Sequence, residues 1–272
     1  MAGIVAVGLT FVMISGGIDL SIGSTMTLVG TFTALLMVKL GISPVLAVVA
    51  GIILGIILGL INGVLVNTFR IHSLMITLAT MAIYKGISNV ISGGVAVYGF
   101  PESFTILGQG YLWGIPVPVI ILIVAIVLAT IILETTYIGR YTYSVGGNEE
   151  ATRLSGVNIK GIKIFIFSAC GFFTSIAGIV LLSRMNAALP SVGDSFTFDA
   201  LTAAIIGGVS IKGGEGKVYA TIIGAIIIGV LGNGLILLDV NPHIQSIIKG
   251  LVLLLALGKD GLQHMKIISK KQ

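Results

Sequence analysis

Residues 146–156 read GGNEEATRLSG, and they hold the side chains of this chain best suited to touching another molecule in water. Asn148 can accept from the free N–H groups that open a helix. Glu149 and Glu150 then fall in the first turn, where the helix dipole favours acids. Arg153 and Leu154 follow as a charged contact and an apolar knob, and Gly156 ends the helix. Thr152 is expected on the exposed side. This is docking chemistry, with neither a nucleophile–base pair nor a metal-ligand set.

A second polar cluster sits in SGGIDLSIGS, residues 15–24. Asp19 is the only carboxylate in the first hundred residues, between two short apolar runs. A charge at membrane depth costs about 2.5–3.5 kcal/mol or more. Gly16, Gly17 and Gly23 suggest a helix break whose freed backbone groups need partners. Asp19, Ser21 and Ser24 are suited to cap a helix beginning near Ser24; a direct place on a solute path is the alternative. Further polar residues lie inside apolar stretches: Asn62, Thr77, Thr80, Asn89, Thr174, Thr202 and Asn233. In hydrocarbon they must face other helices or water. Such hydroxyls and amides suit interhelical hydrogen bonds, and they equally suit a path for a neutral polyol. His72, His243 and His264 fall at span ends or in the tail, so enzymatic chemistry is not expected. Cys170, the single cysteine, reads as a packed thiol and excludes a disulfide framework.

These residues need elements to hold them, and composition says which. Apolar residues are 56% of the chain and charged ones 9%, against roughly 25% charged in soluble domains. The expected fold is all-α: a polytopic helical membrane protein, one domain over residues 1–272. Nine apolar segments can be marked, at 2–15, 24–38, 44–66, 73–91, 115–136, 162–183, 198–211, 218–238 and 242–257. The first two and the seventh are short, as broken helices beside a transport path are. The net charge of +5 is not a nucleic-acid signature, because the basic residues follow topology. Alternating the connections places Arg70, Arg140, Arg153, Lys160, Lys163, Lys212, Lys217, Lys259, Lys266, Lys270 and Lys271 on one side. Lys39 and Arg184 fall on the other. The positive-inside rule makes the first side cytoplasmic, with the C-terminus and the 139–161 loop. Lys85 and Lys249 fall within spans and are expected to snorkel to the outer ends. Nine spans put Met1 outside without a targeting signal, so a tenth, preceding helix is expected in the intact protein.

Smaller signals complete the reading. Gly51, Gly55, Gly59 and Gly63 recur every four residues and form a close-packing stripe, for a neighbouring helix or for a dimer seam. GGEGKVY at 213–219 lacks the first glycine and the hydroxyl of a phosphate-binding loop, and reads as a tight turn between spans. Gly16-Gly17-Ile18-Asp19-Leu20 faintly echoes Gly207-Gly208-Val209-Ser210-Ile211, in the same sense across the membrane. In the connection 92–114, Tyr98, Glu102, Tyr111 and Trp113 suit an interfacial belt.

SGGIDLSIGS, TLATMAIYKGIS, GRYTYSVGGNEEATRLSGVNIKGIKI and the long run from FDALTAAIIGG to GNGLILL resemble the sugar-permease branch of the bacterial ATP-binding-cassette importers. The resemblance covers essentially the whole chain. It implies a membrane permease working as a dimer with a second permease subunit. It also implies a cytoplasmic ATPase using ATP and magnesium and a periplasmic sugar-binding protein, in the bacterial inner membrane. No cofactor is expected in this chain. The 139–161 segment would be the coupling element that docks into the ATPase, through Gly146, Gly147, Asn148, Glu149, Glu150, Arg153, Leu154 and Gly156. Asp19, Ser21, Asn62, Thr77, Asn89 and Asn233 are the expected helix-break or path residues. The rivals are the same architecture with another small polar solute, such as a furanose or nucleoside, and a self-sufficient secondary transporter or channel. No conspicuous acid–base pair is expected inside the spans, which counts against the latter.

Overall fold

The computed structural model describes the backbone of residues 1–269 and the side chains of residues 1–258. Lys259, Lys266, Lys270 and Lys271, part of the charge bias, and His264 in the tail lie outside the described side chains. Among the described residues the chain is almost wholly helical. The helices are α1 Ala2–Ile14, α2 Ile22–Val38, α3 Pro44–Phe69, α4 Ser73–Ser92, α5 Glu102–Gln109, α6 Val117–Thr130, α7 Tyr137–Gly147, α8 Glu149–Leu154, α9 Ile159–Met185, α10 Asp194–Ile206, α11 Val218–Leu237 and α12 Pro242–Ser269. A π turn, Ile131–Thr135, prolongs α6. Strands are two residues long: β1 Val97–Tyr98 pairs antiparallel with β4 Ala187–Ala188, and β2 Tyr111–Leu112 with β3 Ile115–Pro116.

Each of the nine apolar segments falls on a helix. Five helices are long and apolar enough to cross a bilayer: Pro44–Phe69, Ser73–Ser92, Val117–Thr135, Ile159–Met185 and Val218–Leu237. α1 and α10 have 13 residues each, about 20 Å, short of a ~30 Å hydrocarbon core. Packing explains how so short a helix persists. α1 is buried from Ile4 to Ile14 and wrapped by α6, α9, α10 and α11. A helix apolar on every side belongs inside the protein. The segment 198–211 departs from its expected bounds: the helix starts at Asp194 and stops at Ile206, ahead of Gly207 and Gly208.

Part of the 139–161 segment is also more regular than its polarity suggests. Residues 137–147 form α7, opened by Thr136, whose hydroxyl accepts from Gly139 N at 3.3 Å. Its buried Gly139, Thr142 and Val145 recur every three residues on one face. Two are small or polar, so the face is invisible to a hydropathy reading.

The glycine stripe is used inside the subunit. Down α3, Gly51 lies against Thr33 and Ile179, Gly55 against Gly171 and Ser175, Gly59 against the Phe167 carbonyl, and Gly63 against Ile164. α3 and α9 therefore run antiparallel, backbone to backbone. A side chain on Gly59 has nowhere to go but into main chain. Gly59→Leu is expected to destabilise the bundle by about 1–3 kcal/mol, measurable as a lowered melting temperature in detergent; an unchanged melting point would refute the packing.

The outer surfaces of the long helices are apolar. Ile53, Ile57 and Leu60 on α3, Ile123 and Val127 on α6, and Ile223, Ile226 and Val230 on α11 are all exposed. A contiguous apolar surface of this kind requires lipid around it.

Candidate functional site

Between α1 and α2 the chain turns back on itself. Gly16 sits at φ +82°; its N–H donates to Met13 O at 2.9 Å and that of Gly17 to Val12 O at 3.0 Å, closing α1. Residues 18–20 then run along α4 and are pinned by its hydroxyls. Ile18 N donates to Ser73 Oγ at 2.9 Å and Leu20 N to Thr77 Oγ1 at 3.1 Å. Thr77 Oγ1 lies 3.2 Å from Ile18 O as donor. Thus α4 supplies partners for a backbone that a break at membrane depth would otherwise leave unpaired.

The Asp19 side chain points the other way, toward α3. Its Oδ1 accepts from Ser21 N at 2.9 Å and Ser21 Oγ at 2.6 Å, and its Oδ2 from Asn62 Nδ2 at 3.4 Å. Asn62 Nδ2 also donates to Ser21 Oγ at 2.8 Å, while Asn62 Oδ1 accepts from Tyr84 OH at 3.1 Å. Asp19, Ser21, Asn62, Thr77 and Tyr84 are all buried. Three of the six expected break or path residues, Asp19, Ser21 and Asn62, therefore meet in one side-chain network, while a fourth, Thr77, holds the backbone of Ile18 and Leu20 beside it. Asn89 and Asn233 do not join it: both are exposed, and Asn89 Nδ2 donates to Lys85 O at 3.0 Å on its own helix.

The capping expectation needs correction in detail. α2 begins at Ile22, two residues before Ser24, but neither Ser21 at its N-cap nor Ser24 makes a side-chain cap bond; Ser24 Oγ has no partner among the described residues. Asp19 instead closes an Asx turn onto Ser21 N. Ser73 and Tyr84 were not anticipated. In the sequence both fall within the apolar segment 73–91 with nothing to mark them.

The docking helix forms as its sequence requires. Asn148 Oδ1 accepts from Ala151 N at 2.9 Å, and Gly156, at φ +80°, follows its end. Glu150 pairs with Arg153 at 2.5 Å, and Glu149 with Lys163 of α9 at 2.7 Å. Leu154 is 78% exposed, an apolar side chain left largely uncovered by the described residues. Thr152 corrects the expectation of an exposed residue: it is buried, its Oγ1 donating to Asn148 O at 2.8 Å.

Backbone contact links the docking helix to the break. At the end of α7 a Cβ on Gly146 would overlap both Ile14 O and Gly214 N, and Gly213 lies against Gly16. Gly214 N donates to Ile14 O at 2.8 Å. Three segments, the end of α1, the end of α7 and the 213–216 turn, thus join with no side chain between them. Tyr143 on α7 donates to Gly216 O at 2.8 Å. Burial, and then the Glu134 carboxylate, push the Tyr143 hydroxyl up, so it stays a donor. A cavity of about 590 Å³ opens beside this junction, walled by Gly16, Ser73, Arg70, Glu150, Arg153 and Lys160 among others.

The echo between the two glycine motifs is real in its capping and shifted by one residue. Gly208, at φ +79°, donates to Ile205 O at 2.9 Å, and Val209 to Ala204 O at 3.0 Å. Gly16 thus matches Gly208, not Gly207. The two helices run in the same sense: Thr221 of α11 touches Thr10 near the end of α1 and lies against Gly207 at the end of α10.

Lys85 and Lys249 do not merely snorkel. Lys85 Nζ meets Asp194 at 2.6 Å and Lys249 Nζ meets Asp199 at 2.8 Å, both acids on α10. Ion pairs thus join α10 to α4 and α12 at partly exposed positions, where the isolated sequence suggested snorkelling alone.

Comparison with known proteins agrees with this architecture. The family model described as branched-chain amino acid transport system / permease component matches residues 1–257. The chain is similar to the ribose import permease protein of Bacillus subtilis (strain 168), 42% identical over 260 residues, covering 95% of this chain and 80% of the relative. It is 40% identical over 256 residues to the L-arabinose transport system permease protein of Escherichia coli (strain K12), covering 94% and 78%. To the D-allose transport system permease protein of the same organism it is 37% identical over 260 residues, covering 95% and 79%. No solved structure matches. With a family model spanning nearly its whole length, the chain, built around a pinned helix break and the Asn148-capped helix α8, belongs to the branched-chain amino acid transport system / permease component family.

Proposed function

We propose that this chain is the membrane-spanning permease subunit of an ATP-binding-cassette importer for a monosaccharide, ribose or a close relative. It would work in the bacterial inner membrane with nine spans and a cytoplasmic C-terminus. A periplasmic binding protein delivers the sugar, a second permease subunit completes the path, and a cytoplasmic ATPase supplies energy from ATP and magnesium. The printed names of the relatives, for ribose, arabinose and allose, support the solute class.

One observation carries the mechanism: the docking helix α8 continues from α7, whose Gly146 lies backbone to backbone against Ile14 and Gly214. A contact helix transmits motion only through a stiff joint, and main-chain contact leaves no compliant side chain between them. Nucleotide binding in the partner would bias the bundle between two states through this joint, because a ligand shifts an equilibrium only by binding its states differently.

The Lys–Asp pairs leave a secondary transporter conceivable on geometry alone, but membership of the permease family and the capped, outward-facing Leu154 favour ATPase coupling. Another small polar solute remains the alternative within the same mechanism. The test is uptake into proteoliposomes holding permease, ATPase and binding protein. Radiolabelled ribose should accumulate only with ATP and binding protein present. Accumulation driven by an ion gradient without ATPase would overturn the reading.

A further inference from the structure

α10 carries an ion pair along either edge of its open side. At about 100° per residue, Asp194 and Asp199 stand about 140° apart around its axis. Between them lie Ser195 and Phe198, both exposed, Phe198 to 56%. Lys85 of α4 holds the first acid and Lys249 of α12 the second. A hydroxyl and an aromatic ring are thus framed by two ammonium–carboxylate pairs.

Packing sets the depth of this stripe. Gly193, just before α10, lies against Gly23 of α2. Gly193 N donates to Thr27 Oγ1 at 3.0 Å, and Gly23 N to Thr197 Oγ1 at 3.1 Å. α10 therefore opens against the first turns of α2, while the far end of α2 at Val38 lies about 16 Å beyond Thr27. Lys85 stands about 10 Å short of Ser92 along α4, and Lys249 about 10 Å past Pro242 along α12. Charges this far along their helices need protein, water or cargo against them.

Protein covers them only in part. The side chains of Lys85 and Asp194 are 40% and 41% exposed, those of Lys249 and Asp199 29% and 16%. The neighbouring surface is open. A Cβ on Gly86, beside Lys85, or on Gly250, beside Lys249, would meet nothing within 4 Å. Gly232 of α11 faces Lys249, with Asn233 exposed next to it.

We propose that Ser195 and Phe198, framed by the Lys85–Asp194 and Lys249–Asp199 pairs, form a monosaccharide subsite on the translocation path; this rests on the sugar-importer reading. Neighbouring sugar hydroxyls donate to a carboxylate and accept from an ammonium, so each ion pair offers both halves of the exchange. The C–H face of the ring lies on Phe198. Lipid at this surface would leave the exposed part of each pair without water or a further polar partner.

The test uses permease, ATPase and binding protein together in proteoliposomes. In a Cys170→Ser background, Ser195→Cys should react with a charged, lipid-insoluble maleimide. Ribose with its binding protein and a trapped nucleotide state should slow that reaction roughly tenfold. Phe198→Ala, and separately Asp199→Asn combined with Lys249→Gln, should each lower uptake roughly tenfold with ATPase co-purification unchanged. Phe198 is exposed, so its variant keeps the test readable if the ion pair is needed for assembly. Reaction of Ser195→Cys with a lipid-soluble maleimide alone overturns the proposal, as does native-rate uptake by Phe198→Ala and the paired variant. Failure of the native transporter to carry any sugar counts against the importer reading instead; the maleimide reaction still decides whether this face meets water.

Discussion

Leu154→Asp is expected to abolish ATPase co-purification and sugar uptake while leaving membrane insertion normal. Leu154 is 78% exposed, so the fold should register the change little. If Leu154 docks into an apolar pocket of the ATPase, the new carboxylate would be buried there without a partner. Breaking a buried charge balance in this way costs about 3–5 kcal/mol, roughly a hundred- to several-thousandfold in association. Arg153→Glu should act in the same direction and less strongly. It reverses a contact charge and also sets two carboxylates side by side where Glu150 now pairs with Arg153. Thr152 cannot serve as the neutral control, because it is buried and bonded to Asn148 O. Ser155→Ala, at an exposed position on the same turn, should leave both readouts unchanged. Retention of partner and uptake by both charged variants would move the coupling role to the 213–216 turn.

Asp19→Leu should cause the largest loss of assembled protein. It removes the acceptor for Ser21 N, Ser21 Oγ and Asn62 Nδ2 at once. A buried donor left without a partner costs about 1–3 kcal/mol, so the loss approaches the whole stability of a marginal bundle. Asp19→Asn should be milder. Its amide oxygen still accepts from Ser21, and the amide nitrogen faces Asn62, which turns one bond into a donor–donor contact. Expression level and detergent melting temperature should rank native, then Asn, then Leu. Wild-type expression and uptake from Asp19→Leu would remove the network from the account of how α1 and α2 are joined.

Hydropathy and short-range capping signals by themselves determined the class, the helical segments and the Asn148-capped helix α8. Each depends on near neighbours in the chain: an apolar run of given length, an Asn before two acids, a glycine where a helix must end. The same locality marked Asp19, Ser21, Asn62 and Thr77, because a polar group in an apolar run must find a partner somewhere. It could not say which partner. Asp19 meets Asn62, but Asn89 and Asn233, of the same residue type, end up exposed. Only the fold decided that Gly51–Gly63 packs on α9 instead of a second subunit, and that Thr152 faces inward. Nor does the chain's order reveal that Lys85 reaches Asp194 across 109 residues or Lys249 reaches Asp199 across 50. Read singly, each lysine sits within reach of a helix end and snorkelling is the local solution. In three dimensions α10 stops short and brings a carboxylate to each lysine, and a charge beside an opposite charge at this depth is more stable than one stretched toward distant water.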